Sequence, residues 1–228
     1  FDGYKRQTYP NTPDIPVLGG ETTTLGNASS ITIAIILDHG GSTHCACLPC
    51  PGEVMPCIRA VITSVLVDWS SLPYQENVEQ VRFVTTLAHP LGVTVEAELG
   101  HVGSGACYES GSDMVLTEPE MAKAFIEETG VDCLAVSIGT AHGQYKGTPK
   151  LDFARLAEIK AATGGFPLVL HGGSGTGQKN LQRACGMGIN KVNIGTDLFV
   201  AALAAVREAD LSGGKIYDIW QVINDAWR

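Results

Sequence analysis

Positive charge is scarce in this chain, and long apolar runs are missing altogether. Its 228 residues carry 15 Lys and Arg against 24 Asp and Glu, a formal charge of −9. That balance argues against nucleic acid as a partner, because a polyanion is held mainly by clustered cations. It leaves small phosphorylated molecules open, since local amides and one or two cations suffice to grip them. No apolar run approaches the ~20 residues that cross a bilayer, so no membrane partner is expected. Phe1–Pro10 is polar and carries no signal-peptide pattern, which makes the cytoplasm the default compartment. Paired Cys-x-x-Cys knuckles are also lacking. Cys45, Cys47, Cys50 and Cys57 cluster within or near the Gly-, Cys- and Pro-rich stretch His39–Gly52, which reads as a loop. Their Cys-x-Cys start is tight for a structural zinc, so free thiols are the expectation. Cys133 lies in an apolar run and reads as a buried free thiol. There is no initial Met, and the chain stops at Arg228 inside a helical pattern, so native sequence is expected to be missing at the ends.

What is present is an alternation of short apolar runs with helix-like stretches. At 44% hydrophobic and 17% charged, the composition suits a single domain spanning residues 1–228. The apolar runs are Ile31–Leu37, Ser64–Val67, Thr94–Ala97, Cys133–Ile138, Pro167–Leu170 and Lys191–Ile194. They do not alternate with polar residues, which is how strands buried on both faces read. Between them, Val78, Val81, Thr85 and Ala88 mark one helical face. A second helix is expected from Thr117, with Glu120 in a capping-box position and Met121 and Phe125 on one face. A third starts at Asp152, carries Phe153, Leu156 and Ile159, and ends at Gly164–Gly165.

Six β-then-α units call for a parallel sheet, either doubly wound or closed into a barrel. The polar residues decide. Asp38-His39, Asp68, Glu96/Glu98, His142, His171 and Asn193 sit at or just past the C-terminal ends of successive runs. Only in a closed barrel do all strand ends face one mouth. The expected fold is therefore a TIM (β/α)₈ barrel whose N-terminal strands are incomplete or irregular in this chain. Two strands should lie in or before residues 1–30, with Ile15–Leu18 the one candidate. Gly100–Asp113 reads as a mobile loop over the mouth.

Three histidines follow three of these strands: His39, His142 and His171. A three-histidine set with one open position is a catalytic zinc arrangement. A lone histidine at a strand end is more often structural, but three at one end are hard to explain as packing. His89 follows a helix and suits a surface role; His101 lies nearer the mouth. Asp38 could be a general acid/base or a carboxylate that orients His39. Glu96 and Glu98 share a face of a strand that otherwise reads as buried, so they need cations or hydrogen-bond donors. With Asp68 they could hold a second cation. Gly172-Gly173-Ser174-Gly175 and Asn193-Ile194-Gly195-Thr196 follow the last two strands and each opens a helix. That is where barrels of this kind hold a phosphate. Lys146, four residues past His142, could add a cation.

Leu37-Asp38-His39-Gly40, Val95-Glu96-Ala97-Glu98-Leu99-Gly100, Ala141-His142-Gly143-Gln144-Tyr145-Lys146, Leu170-His171-Gly172-Gly173-Ser174-Gly175 and Lys191-Val192-Asn193-Ile194-Gly195-Thr196 together resemble the class II, zinc-dependent fructose- and tagatose-bisphosphate aldolases. The resemblance runs from about Ile31 to Arg228; residues 1–30 match poorly. It implies reversible cleavage of a ketose bisphosphate to dihydroxyacetone phosphate and glyceraldehyde 3-phosphate. In that family zinc polarises the ketose carbonyl and stabilises an enediolate, and the resemblance implies the same chemistry here, with no Schiff base needed. It implies His39, His142 and His171 as zinc ligands. Asp68 and Glu98 match a second, divalent or monovalent cation position. Asp38 matches the proton-transferring acid. Gly143, Lys146, Gly172, Gly173, Ser174, Asn193, Ile194, Gly195 and Thr196 match groups around the phosphate. The loop Gly103–Glu109 departs from the family's Gly-Gly-Glu-Glu-like loop, and Glu109 is its one candidate acid. A homodimer or homotetramer is also implied, with Ile216, Ile219, Trp220, Ile223 and Trp227 at helical spacing as a contact or as packing on the barrel. The alternative reading is a metal-containing sugar-phosphate-binding barrel without catalysis. A metal-independent phosphate-binding barrel with structural histidines is a third.

Overall fold

The computed structural model describes residues 33–40, 54–59, 62–105, 114–145, 147–211 and 216–227. Within these, six strands alternate with helices: β1 (Ile36–Gly40), α1 (Val54–Arg59), β2 (Ser64–Val67), α2 (Tyr74–Ala88), β3 (Thr94–Leu99), α3 (Pro119–Thr129), β4 (Cys133–Val136), α4 (Phe153–Ala162), β5 (Leu168–Leu170), α5 (Gln178–Gly186), β6 (Ile189–Val192), α6 (Thr196–Glu208) and α7 (Ile216–Ala226). All neighbouring strands pair in parallel, and their order in the sheet is their order in the chain. A doubly wound sheet would reverse direction at a switch point. This one never does, so it is an arc of a (β/α) barrel.

The arc is strongly curled. Among the described residues strands β1 and β6 are its two edges, yet the Asn193 amide just past β6 reaches the Asp38 carboxylate on β1 at 3.4 Å. Lys191 on β6 reaches Glu96 on β3, three strands away, at 2.9 Å. Such contacts cross the barrel's interior and could not form on a flat sheet. The expected strands at Ile15–Leu18 or earlier lie outside the described residues.

Strand periodicity divides the sheet into two faces. Val65, Val67, Val95, Ala97, Leu134, Val136, Leu168 and Leu170 face the helices and form the main core with Val78, Val81, Phe125, Leu156 and Ile159. The register places Leu66 beside Glu96, Glu98 beside Ala135, Ala135 beside Val169 and Val169 beside Lys191 on the other face. Purely parallel strands are thus covered on both sides, by helices outside and by packed side chains within.

The helices follow local chemistry, with two departures from expectation. The Val78–Val81–Thr85–Ala88 stripe of α2 is buried as expected. Asp152 caps α4, accepting from the Arg155 amide at 2.9 Å, and Leu156 and Ile159 are buried. Gly164 and Gly165 follow that helix with positive φ. Helix α3, however, begins at Pro119 and not at Thr117. The Thr117 hydroxyl donates to the Leu99 carbonyl and accepts from the Ser137 amide, tying the end of β3 to the end of β4. Met121 is exposed, and the buried stripe is Ala122, Phe125 and Thr129. The first strand begins five residues later than its apolar run, and the last begins two residues earlier.

The final helix packs on α6, and the Trp227 indole donates to the Leu198 carbonyl at 2.9 Å. Ile219 and Trp220 on α7, and Phe199 and Leu203 on α6, remain exposed. No described helix is long and apolar enough to cross a membrane.

Candidate active site

The three histidines converge. Ring centroids of His39 and His142 and of His39 and His171 are 5.0 Å apart, and those of His142 and His171 are 5.7 Å apart. One nitrogen from each lies within 4.8 Å of one from the others, so the set could hold a metal ion. His39, Asp68 and Glu98 form a second such group.

Each histidine is placed by a different device. On a regular strand, Asp38 and His39 would point to opposite faces. His39 instead has φ 55°, and the β1–β2 register shifts between Leu37 and Gly40. A left-handed residue at a bulge re-aims the chain, so both side chains face the mouth. The His39 Nδ1 lies 3.2 Å from the Asp68 carboxylate. Its Nε2 is buried without a hydrogen bond, 3.7 Å from Asp38 Oδ1. A buried ring nitrogen left this way, with the other nitrogen fixed by a carboxylate, suits a metal ligand. Burial opposes ionisation of Asp68, but hydrogen bonds from His39 and Ser70 outweigh it and hold the carboxyl well below its usual range.

His142 follows β4 and is fixed through its backbone. Its amide donates to the Gly103 carbonyl at 2.7 Å, and its carbonyl accepts from the Gly105 amide at 2.6 Å. The Tyr145 hydroxyl accepts from the Ala141 amide at 2.6 Å and lies within 2.9 Å of the Gly172 carbonyl. One phenol therefore joins the His142 loop to the His171 loop.

His171, just past β5, is fully buried between two fully buried carboxylates. Nδ1 meets Glu98 and Nε2 meets Glu96, each at 2.9 Å. Burial alone would lower its pKa, but the two carboxylate hydrogen bonds win and push it up to about 9. A metal would have to displace that proton, because only a neutral imidazole ligates. Glu98 also accepts from the Ser70 hydroxyl and the Val102 amide, both at 3.0 Å. The buried Asn77 amide holds the Glu98 carbonyl at 3.1 Å. The donors that two buried glutamates require are thus present. Burial works against the Glu96 charge too, but His171 and then Lys191 keep its carboxyl below the ordinary value.

Lys191 was not among the expected site residues. The signal existed: a lysine in the last strand, in a chain with two glutamates on another buried strand. Nothing local says that the two strands face each other.

The glycine loops close the far side of the mouth. Gly172 has φ 64°, and a Cβ there would run into the Ala141 carbonyl. At Gly173 a Cβ would fall 2.6 Å from Val192 Cγ1. The Gly173 amide is taken by the Asn193 carbonyl at 2.9 Å, so this glycine serves close packing and not amide donation. The Ser174 hydroxyl accepts from the Gly195 and Asp197 amides, both at 3.1 Å, and so docks the first loop on the N-terminus of α6. Asp197 in turn accepts from the Gly175 amide at 3.0 Å. Beside these loops lies a cleft of about 470 Å³ whose lining includes Gly143, Tyr145, Gly175, Thr196 and Asp197. Residues from the His142, His171 and Asn193 motifs thus meet at one cavity. Ile194 and Gly195 lead into α6, with Gly195 at its N-cap. Lys146, Glu109 and the Cys45–Cys50 thiols lie outside the described residues. Cys57 is buried on α1.

His101 sits at the rim, its Nδ1 2.9 Å from the Ser70 hydroxyl. His89 pairs with Asp132 at 3.0 Å near the N-terminal end of β3, opposite the mouth, as a surface role requires.

Comparison with known proteins agrees with this geometry. The model of the family "Fructose-bisphosphate aldolase class-II" matches residues 15–227. A fructose-bisphosphate aldolase of Geobacillus stearothermophilus is 39% identical over 194 residues, covering 85% of this chain and 64% of the relative. One of Staphylococcus epidermidis is 41% identical over 189 residues, covering 83% of this chain and 63% of the relative. This chain therefore spans somewhat under two thirds of the length of those relatives. Among solved structures, the YdjI aldolase of Escherichia coli K12 superposes with a TM-score of 0.77 at 29% identity, over 95% of this chain and 73% of that one. A putative fructose-1,6-biphosphate aldolase of Coccidioides immitis gives 0.79 at 26% identity, over 92% and 72%. With a curled parallel arc, three converging histidines and a family match over nearly its whole length, the chain belongs to the class II fructose-bisphosphate aldolase family.

Proposed function

We propose that the protein is a divalent-metal-dependent aldolase, with zinc as the metal, that cleaves fructose 1,6-bisphosphate or its tagatose epimer to dihydroxyacetone phosphate and glyceraldehyde 3-phosphate. The observation that carries this reading is the convergence of His39, His142 and His171, with the His39 Nε2 buried and unbonded. These are the proposed metal ligands. Asp68 and Glu98, grouped with His39, are proposed for a second or alternative cation position. Held by the three histidines, a divalent ion would supply Lewis-acid polarisation of the ketose carbonyl.

The chain's own residues supply the rest. Asp38 is the proposed proton carrier for the oxygen released as aldehyde. Its place beside His39 and within 3.4 Å of the Asn193 amide supports that role. Gly143, Gly172, Ser174, Asn193, Ile194, Gly195 and Thr196 are proposed to surround the phosphate site, near the cleft beside the N-terminus of α6. A helix N-terminus favours an anion there. Gly173 contributes by allowing the two loops to approach, and Lys146 is proposed as the phosphate's cation. Glu109 is proposed as the acid of the loop over the mouth. Residues 1–228 are read as one domain, acting in the cytoplasm as a homodimer or homotetramer.

The test is a cleavage assay with fructose and tagatose bisphosphates and ketose 1-phosphates, before and after chelation, alongside metal analysis. We expect triose phosphate from a bisphosphate, loss on chelation and recovery with zinc. Phosphate ligands that bind with no cleavage of any ketose would favour a non-catalytic barrel. Metal below about a tenth of an equivalent, in protein never exposed to chelator, would end the three-histidine reading.

A further inference from the structure

We infer that Lys191 is a positioning residue for the reaction proposed above, setting both the metal-facing ring of His171 and the carboxamide of Asn193. The inference rests on that functional reading. Its basis is the set of three contacts made by one ammonium. Lys191 Nζ donates to Glu96 Oε1 at 3.2 Å, to Glu96 Oε2 at 2.9 Å and to Asn193 Oδ1 at 2.8 Å. An ammonium has three protons, so all are spent on these two residues.

The Glu96 contact acts through His171. Both ring nitrogens of His171 sit on carboxylates, and a cation among the three histidines takes one of those nitrogens. Glu98 belongs to a candidate metal group with His39 and Asp68; Glu96 belongs to neither group. Glu96 is therefore the carboxylate left to hold the ring from behind, the usual partner of a metal-bound imidazole. Glu96 is 1% exposed. A carboxylate that deep needs a cation beside it. Lys191 is the Lys or Arg that bonds it among the described residues.

The Asn193 contact acts on Asp38. Because Lys191 can only donate, the Asn193 atom facing it is the carbonyl oxygen. That turns the amide nitrogen toward Asp38 Oδ1, 3.4 Å away. Without the ammonium the carboxamide is free to flip, and an oxygen would then face the carboxylate. One residue on β6 thus sets a ring at the end of β5 and an amide beside β1.

The test compares Lys191→Met, Lys191→Arg and the double variant Glu96→Gln/Lys191→Met with the unsubstituted chain. Zinc affinity is measured by competition with a chromophoric chelator, and kcat and KM for fructose 1,6-bisphosphate at saturating zinc. For Lys191→Met we expect zinc affinity and kcat each to fall about 10–100-fold, with KM within about threefold. Lys191→Arg should recover much of both. The double variant should regain zinc affinity, because a neutral amide can still hold the imidazole and needs no ammonium. A lower melting temperature with zinc affinity and kcat unchanged would assign Lys191 to packing and overturn the inference. Equal impairment of the Met and Arg variants would overturn it too. Should the unsubstituted chain bind zinc yet cleave nothing, the functional reading fails by itself. The chelator arm then decides Lys191, and an affinity in Lys191→Met within about twofold of the unsubstituted chain would overturn the inference.

Discussion

Strand β3 carries two different proteins on its two faces. Val95, Ala97 and Leu99 turn outward and pack with Phe125 and Val81 beneath the helices. Glu96 and Glu98 turn inward, and their hydrogen-bond partners among the described residues include His171, Lys191, Ser70 and the Val102 amide, with the Cys133 thiol at 3.6 Å. The outer face gains from non-directional apolar burial. The inner face is a network in which each group is satisfied only if its neighbours are in place. Stability should therefore reside mainly outside and chemistry inside, though both lie on the same six residues.

Substitutions can break that division. The largest expected effect is on the inside. His142→Ala should lower kcat at least about 10³-fold, since several kcal/mol of Lewis-acid stabilisation would go with the proposed metal. Its melting temperature should change little, because His142 is only half-buried. A thermal shift as large as that of a core substitution would erase the contrast. Next is the outside. Phe125→Ala should cost about 3–5 kcal/mol in denaturant unfolding while the folded fraction keeps its kcat. A matching loss in kcat would mean that the two faces are coupled. Tyr145→Phe sharpens the comparison at its boundary. It leaves the Ala141 amide and the Gly172 carbonyl without the shared hydroxyl, and about tenfold in kcat at about 1 kcal/mol is expected.

The smallest effect is a reactivity. Burial, with the Glu96 charge second, pushes the Cys133 thiol up to about 12. Raising the pKa of an acid favours its neutral form. At pH 8 Cys133 should therefore stay unalkylated by iodoacetamide while the exposed Cys185 reacts, and its rate should climb only as pH approaches 12. Peptide mapping reads both residues in one digest. Comparable rates at pH 8 would show that the inner face is wetter than its contacts imply.

Much of the outer face was legible in the sequence because its signals are local. A stripe such as Val78–Val81–Thr85–Ala88 or a cap such as Asp152 needs no knowledge of the rest of the chain. The same locality explains the errors. Thr117 looks like a capping residue, but strand ends compete for its hydroxyl and Pro119 starts the helix. Met121 looks like a core residue because it lies four positions from Phe125, but the buried stripe runs through Ala122. On the inner face, residue types at strand ends singled out histidines and acids that the structure brings together. What could not be read was pairing. Glu96 and Lys191 are 95 positions apart, and Asp38 and Asn193 are 155 apart. Nor could the left-handed φ of His39 be foreseen, since no glycine marks it.

The Asp38–Asn193 contact has a mechanical meaning beyond its chemistry. These two side chains hang from opposite rims of the open arc, so their separation works as a caliper on the curvature of everything between. Five strand-to-strand steps each contribute a little to that angle. A substitution that flattens any one of them, however distant from the mouth, would widen the jaws and pull the amide away from the acid. Residues far from both side chains can in this way set the Asp38–Asn193 separation through geometry alone.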